Sequence, residues 1–226
     1  MRESIFGALN PPSGQLLKQF GYRPEGSHFD ISPKKIYLIR HGKTEWTLKG
    51  KHTGMTDIPL TENGKLQAKM IGKRLKGHVF HTILSSPLQR AAMTCEMAGF
   101  LKQAKFDSDL VEWNYGEFEG LTRDEICKKA PHWNIFSNGA TGGECITDIS
   151  ARASRVLAKI QSIHGDVALF SHGHFLRVLS ARWLQLPAQE GRLFALSTAS
   201  ISILGFEHQG NVLTLWNDIS HLGLFL

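Results

Sequence analysis

The chain has 226 residues, 42% hydrophobic and 20% charged, with a net charge of +6, the profile of one medium globular α/β domain. It contains no run of about 18 apolar residues and no basic head leading into an apolar stretch, so neither a membrane-spanning helix nor a secretory leader is expected. Three widely spaced cysteines, Cys95, Cys127 and Cys145, form no C-x-x-C pair, which argues against a disulfide framework and a structural zinc site and leaves the cytoplasm as the expected compartment.

Residues 1–33 are rich in chain breakers (Asn10-Pro11-Pro12-Ser13-Gly14, Arg23-Pro24-Glu25-Gly26-Ser27) and read as an N-terminal extension with a short helix near Gln15–Phe20. Residues 34–226 read as the catalytic domain. Ile36-Tyr37-Leu38-Ile39 is a short apolar run suited to a buried strand, ending at Arg40-His41-Gly42. Leu60-Thr61 opens a helix with Leu66, Met70, Ile71 and Leu75 on one face. Thr82-Ile83-Leu84-Ser85 is a second strand, and Pro87 stands where a helix would follow. Leu110-Val111 reads as a brief strand reaching Glu112. Thr122-Arg123-Asp124-Glu125 is a capping box, and Thr147 begins a longer helix carrying Ile149, Ala153, Val156, Leu157 and Ile160. Val167-Ala168-Leu169-Phe170 is another buried strand, ending at Ser171-His172-Gly173. The next helix carries Phe175, Leu176, Leu179 and Trp183. Ala199–Phe206 and Val212–Trp216 flank a Gln209-Gly210-Asn211 turn and read as an antiparallel hairpin.

This alternation predicts a three-layer α/β/α fold with a mostly parallel central sheet. Ligands of such sheets bind beyond the carboxyl ends of the strands. At or just after those ends stand Arg40-His41, then Arg90, Glu112 and His172. Arginine's planar fork fits phosphate oxygens, neutral imidazole is a nucleophile, and a carboxyl group protonates a departing alkoxide. Gly42 and Gly173, following the two histidines, are expected to let backbone approach a ligand closely. Between Lys34 and Lys76 eleven Lys or Arg face three acids, a field that draws in anions, although Lys65, Lys69, Lys73 and Lys76 read more simply as a solvated helix face. No nucleic-acid-reading motif accompanies the basic charge.

The chain resembles the histidine phosphatase superfamily, which includes the phosphoglycerate mutases, from about Lys35 to Trp216. The carriers are Arg40-His41-Gly42-Lys43-Thr44-Glu45-Trp46, Thr53-Gly54-Met55-Thr56-Asp57-Ile58-Pro59-Leu60-Thr61 and Ser85-Ser86-Pro87-Leu88-Gln89-Arg90-Ala91. With them stand Glu112-Trp113-Asn114-Tyr115-Gly116-Glu117-Phe118-Glu119-Gly120, Gly142-Gly143-Glu144 and Ser171-His172-Gly173-His174. The resemblance implies a phosphohistidine nucleophile at His41, a general acid at Glu112, and a phosphoryl pocket of Arg40, Arg90 and His172. It also implies substrate contacts at Thr53, Gly54 and Gly173, and at Thr47, where many members carry Asn. Cys145 replaces the Ser common after Gly-Glu and is expected to serve packing only.

The resemblance implies no metal or organic cofactor. Reading His172-x-His174 as ligands of a metal hydrolase lacks a companion Asp- or His-rich motif. A non-catalytic phosphate-binding role is disfavoured because His41 and Glu112 are both present. A mutase needs a hold on a second acidic group and a cover over the site. The stretch after Glu112 has no basic pair, and little chain remains after the hairpin, so hydrolysis of small phosphorylated metabolites is expected, with a bisphosphoglycerate-dependent mutase as the alternative. Glu112–Gly116, Trp133–Phe136 and Ser197–Ser202 most resemble sedoheptulose-bisphosphatase-like sugar phosphatases.

Overall fold

The computed structural model describes residues 34–208 and 210–225. The expected N-terminal extension and its short helix lie outside the described residues, as does Gln209. Six strands form one sheet: β1 (Ile36–Arg40), β2 (Thr82–Ser85), β3 (Ala104–Phe106), β4 (Val167–Ser171), β5 (Ile201–Glu207) and β6 (Gly210–Asp218), in the order β3-β2-β4-β1-β5-β6. β1, β2, β3 and β4 are parallel, while β5 runs antiparallel to both β1 and β6.

Helices cover both faces because successive strand residues point to opposite sides. Ile36, Leu38, Leu84, Val167 and Leu169 pack on one side with α6 (Ile146–Gln161) and α7 (Gly173–Trp183), through Ile149, Val156, Leu176 and Leu179. Tyr37, Ile39, Ile83, Ala168 and Phe170 pack on the other with α2 (Glu62–Arg74) and α3 (Gln89–Met97), through Ile71 and Cys95. This is the expected three-layer α/β/α architecture. Shorter helices α1 (Glu45–Leu48), α4 (Arg123–Lys129) and α5 (Ile135–Asn138) lie in the connections. No helix among the described residues is long and apolar enough to cross a membrane.

Several local expectations change. Leu110 is not in a strand: Ser108–Leu110 is a turn of 3-10 helix, opened by the Asp107 carboxylate accepting from Asp109 N at 3.1 Å. The strand beside β2 is instead the short edge strand β3. The buried stripe of α2 is Gly64, Gln67, Ala68 and Ile71, leaving Leu66 exposed, because Gln67 turns inward to accept from Lys43 N at 3.0 Å. β5 ends at Glu207 and β6 starts at Gly210, so Gly210 and Asn211, expected in the hairpin turn, belong to the strand. Cys145 is an exposed helix cap rather than packing, with its Sγ 2.9 Å from Asp148 Oδ2. The capping box at Thr122 and Glu125 forms as the spacing predicts.

Candidate active site

The ladder hydrogen bonds of the parallel strands run one residue beyond their ends, fixing the loops that follow. His41 N donates to Ser171 O at 3.0 Å, and Ser86 N donates to Phe170 O at 2.9 Å. Beyond these ends opens a cavity of about 210 Å³. Arg40, His41, Thr47, Thr53 and Glu112 line it, together with Gly50, Lys51, His52, Tyr115 and His174.

His41 is buried, and its Nδ1 lies 2.8 Å from Gly42 O. A carbonyl only accepts, so Nδ1 carries the proton and the Nε2 lone pair is free. Burial, reinforced by the Arg90 and Arg40 guanidiniums, holds the imidazole well below the ordinary histidine range, against the opposing Gly42 bond. The ring is therefore neutral near pH 7. Its centroid is 5.2 Å from that of His172.

His172 is assigned the opposite tautomer. Arg90 Nε, which only donates, reaches His172 Nδ1 at 3.1 Å, so Nε2–H donates to Ser86 Oγ at 2.8 Å. Burial, then the Arg90 charge, keeps this ring neutral as well. Arg90, on the first turn of α3, has no exposed surface. Its Nη1 donates to Thr56 O at 3.0 Å, and its Nη2 to Thr53 O and Gly54 O at 3.1 and 2.7 Å. Arg90 and His172 thus stand directly behind the cavity, and Arg90 pins the 53–56 loop from inside.

Arg40 Nη1 donates to Leu196 O, while its buried Nε has no partner among the described residues. A Cβ added to Gly173 would lie 3.2 Å from Arg40 Cζ and Nε, so this glycine makes room for the guanidinium. Gly173 itself is not on the cavity lining. Gly54 is likewise not on the lining: its N donates to Glu119 Oε1 at 2.8 Å, and a Cβ would meet Trp113 O at 2.5 Å. Thr47 lines the cavity, but its hydroxyl accepts from Thr44 N at 2.8 Å to close the box capping α1 and donates to Thr44 O at 2.8 Å, so its proton is already committed.

The Glu112 carboxylate caps α7, whose own N-cap residue, His172, makes no side-chain cap. Oε1 accepts from Trp113 N and Phe175 N, each at 2.9 Å, and Oε2 from His174 N at 3.1 Å. Arg152 holds the backbone beneath it, donating to Val111 O at 2.8 Å and Glu112 O at 3.2 Å while forming a two-point pair with Glu144 at 2.7 and 2.8 Å. Glu144 Oε2 also accepts from Asn114 N at 2.9 Å. This explains Gly142-Gly143-Glu144 as a support for the loop that carries Glu112.

Sequence reasoning missed Gly50, Lys51, His52 and Tyr115 as lining residues and weighed His174 only as a metal ligand. His172 and His174 do not share a face: His172 bonds Arg90 and Ser86, while His174 Nδ1 meets Tyr115 Oη at 2.5 Å. His52 stacks on His174 at 6.1 Å and packs edge-on against Tyr115 and Trp133. Tyr115 and His174 both lie inside sequence stretches already singled out, but only the fold brings them together.

A parallel sheet with a neutral histidine, a buried arginine and a carboxylate around one cavity defines a class of phosphoryl-transfer enzymes. The chain belongs to the histidine phosphatase superfamily (branch 1), which it matches over residues 36–219, and it is a phosphatase enzyme of that superfamily. Acid phosphatase from Mycobacterium tuberculosis is 39% identical over 178 residues, covering 77% of this chain and 87% of that protein. Sedoheptulose 1,7-bisphosphatase from Saccharomyces cerevisiae is 34% identical over 192 residues, covering 71% of this chain and 70% of that protein. A solved structure from Mycobacterium tuberculosis superposes with a TM-score of 0.78 at 37% identity, covering 81% of this chain and 97% of that one.

Proposed function

We propose that the chain hydrolyses phosphate monoesters of small metabolites, sugar phosphates and bisphosphates first among them, through a phosphohistidine on His41. The observation that carries this reading is the neutral His41 ring, its Nδ1 proton held by Gly42 O and its Nε2 free, with Arg40 and Glu112 lining the same cavity. In the first step Nε2 attacks phosphorus, the N–P bond forms, the ester P–O bond breaks, and protonated Glu112 gives its proton to the departing alkoxide. In the second, Glu112 takes a proton from water, whose oxygen attacks phosphorus as the N–P bond breaks, releasing phosphate. Arg40, which lines the cavity with an unpartnered Nε, matches the charge on the equatorial oxygens, and the buried Arg90 guanidinium adds positive charge from behind the wall.

The sugar (bis)phosphate class draws support from the likeness to sedoheptulose 1,7-bisphosphatase. Hydrolysis rather than mutase chemistry draws support from the C-terminal segment. Leu222 is buried against the sheet face covered by α2, and no described residue after β6 lines the cavity. The test is a phosphate-release screen over sugar phosphates, phosphoglycerates, nucleotides and p-nitrophenyl phosphate. Release of inorganic phosphate, fastest from a sugar phosphate or bisphosphate, is the expected result. Transfer between positions of phosphoglycerate with little free phosphate would overturn it in favour of a mutase.

A further inference from the structure

β1 ends at Arg40, and the His41 backbone beyond it is held from two sides. On one side its N–H donates to Ser171 O of β4, a continuation of the parallel ladder. On the other side the regular pairing stops at Ile39, which faces Ile201, the first residue of β5. The turn before β5 takes over from there. Ala199 N donates to His41 O at 2.9 Å, Ser200 O accepts from Arg40 N at 3.2 Å, and Leu196 O accepts from Arg40 Nη1. Arg40 and His41 therefore both rest on residues 196–200.

That turn is not a relaxed form of its own sequence. Ala199 is buried with φ at +57°, a left-handed conformation that is unfavourable for alanine and persists only where its surroundings impose it. The imposing contacts come from the end of β6 and the residues just after it. Trp216 Nε1 donates to Ala195 O at 2.7 Å, Asn217 Oδ1 accepts from Ser197 N at 2.7 Å, and His221 Nε2 lies 3.0 Å from Ala199 O. A carbonyl only accepts, so His221 is assigned the tautomer that donates from Nε2. Burial, opposed by this bond and by Asp218, holds its ring below the ordinary histidine range. Asn217 is left-handed as well, at φ +55°, which asparagine tolerates, and its N–H donates to Ser202 Oγ at 2.9 Å. The β5–β6 ladder already runs from the Glu207/Gly210 pair to the Ile201/Asp218 pair, so these side-chain bonds are not what closes the hairpin.

We propose that Asn217 and His221 are positioning residues for phosphoryl transfer: they hold the 196–200 turn in its left-handed form, and that turn fixes the His41 backbone and the Arg40 guanidinium against the phosphoryl group. The inference rests on the His41 reading above. None of the described residues 210–225 lines the His41 cavity, so the C-terminal segment takes part in the reaction without touching substrate. Displacing reacting groups by about 1 Å costs about 100-fold in rate. Because Arg40 and His41 act on the phosphoryl group itself, loss of their support slows every substrate alike. Loss of a proton donor to the leaving group does not, since it spares esters whose alcohol leaves readily.

The experiment measures the burst of phosphohistidine formation by rapid quench, with p-nitrophenyl phosphate and with a sugar phosphate, well below each variant's melting midpoint. Asn217→Gly permits the left-handed backbone but removes the acceptor, and His221→Phe keeps a ring but removes the donor. Each is expected to slow the burst about 10- to 100-fold, equally for both substrates, in its maximal rate rather than in the half-saturating concentration. Asn217→Asp keeps both the acceptor and the tolerance of positive φ, and restores the burst to within about threefold of the wild type. Asn211→Ala removes the bond from Asn211 Nδ2 to Trp183 O at the far end of the same hairpin and leaves the burst unchanged. Variants that melt earlier yet keep the wild-type burst overturn the proposal and leave Asn217 and His221 structural. Failure of Asn217→Asp to recover what Asn217→Gly loses overturns it too, as does failure of both Asn217→Gly and His221→Phe to fold; one folded variant suffices for the comparison. A wild-type enzyme that forms no phosphohistidine overturns the His41 reading itself, an outcome distinct from a normal burst that no variant alters.

Discussion

A sugar alkoxide leaves slowly unless a proton reaches it in the transition state, a contribution of about 10²–10⁴-fold in rate, whereas p-nitrophenolate leaves without one. Glu112 is placed for this role at the cavity wall, with two backbone donors on Oε1 and one on Oε2, so Oε2 keeps room for a proton or a ligand. Glu112→Gln is therefore predicted to slow phosphorylation of His41 by a sugar phosphate about 100-fold or more, and by p-nitrophenyl phosphate far less. Burst-phase kinetics check this, since steady-state turnover also includes the water step. Equal slowing of both bursts would assign Glu112 a binding or structural role. Arg40, His41 and His172 were legible because each falls at or just past a strand end, where a parallel sheet gathers side chains, whereas Glu112 follows a 3-10 turn and Arg90 lies on the first turn of α3. Tyr115 and His52 were not, since their contacts with His174 span 59 residues for Tyr115 and arise only when α7 docks. Thr47 lines the cavity as a substrate contact would, and its hydroxyl also closes the box that caps α1, a second role its place in the sequence did not announce.

Among the elements, the junction of β4 and α7 carries the site. The first backbone N–H groups of α7 need an acceptor, His172 supplies none, and Glu112 reaches in from another segment to do so. That arrangement depends on Arg152, nearly buried on α6, which ties Asp109, Val111 and Glu112 carbonyls to Glu144. Removing one partner of a buried pair costs about 3–5 kcal/mol. Arg152→Met should thus lower the midpoint of thermal unfolding by about 10 °C. It should also slow His41 phosphorylation by sugar phosphates more than by p-nitrophenyl phosphate, as Glu112→Gln does. A variant with the wild-type melting midpoint, or with both bursts slowed in step, would remove Arg152 from the positioning of Glu112. The apolar runs of β1, β2 and β4 announced themselves because parallel strands are buried on both faces. β3 did not, being three residues long at the sheet edge with Lys105 and Phe106 exposed, and the apolar Leu110-Val111 drew the reading instead.

For the molecule as a whole, the sheet divides labour between its two faces. One side, built on α2 and α3, is closed by Leu222 of the C-terminal segment, while the other is covered by α6 and α7. The lysines of α2 that dominate the local charge are largely solvated (Lys69 and Lys73 exposed), and none of them lines the His41 cavity. All of this chemistry converges on one claim, that phosphate passes through His41, and rapid quenching tests it most directly. Enzyme mixed with a phosphate-labelled sugar phosphate and quenched within milliseconds should carry acid-labile label on His41, formed no more slowly than turnover and absent from inactive His41→Ala. Label on another residue, no labelled enzyme at any time, or near-normal turnover by His41→Ala would contradict it.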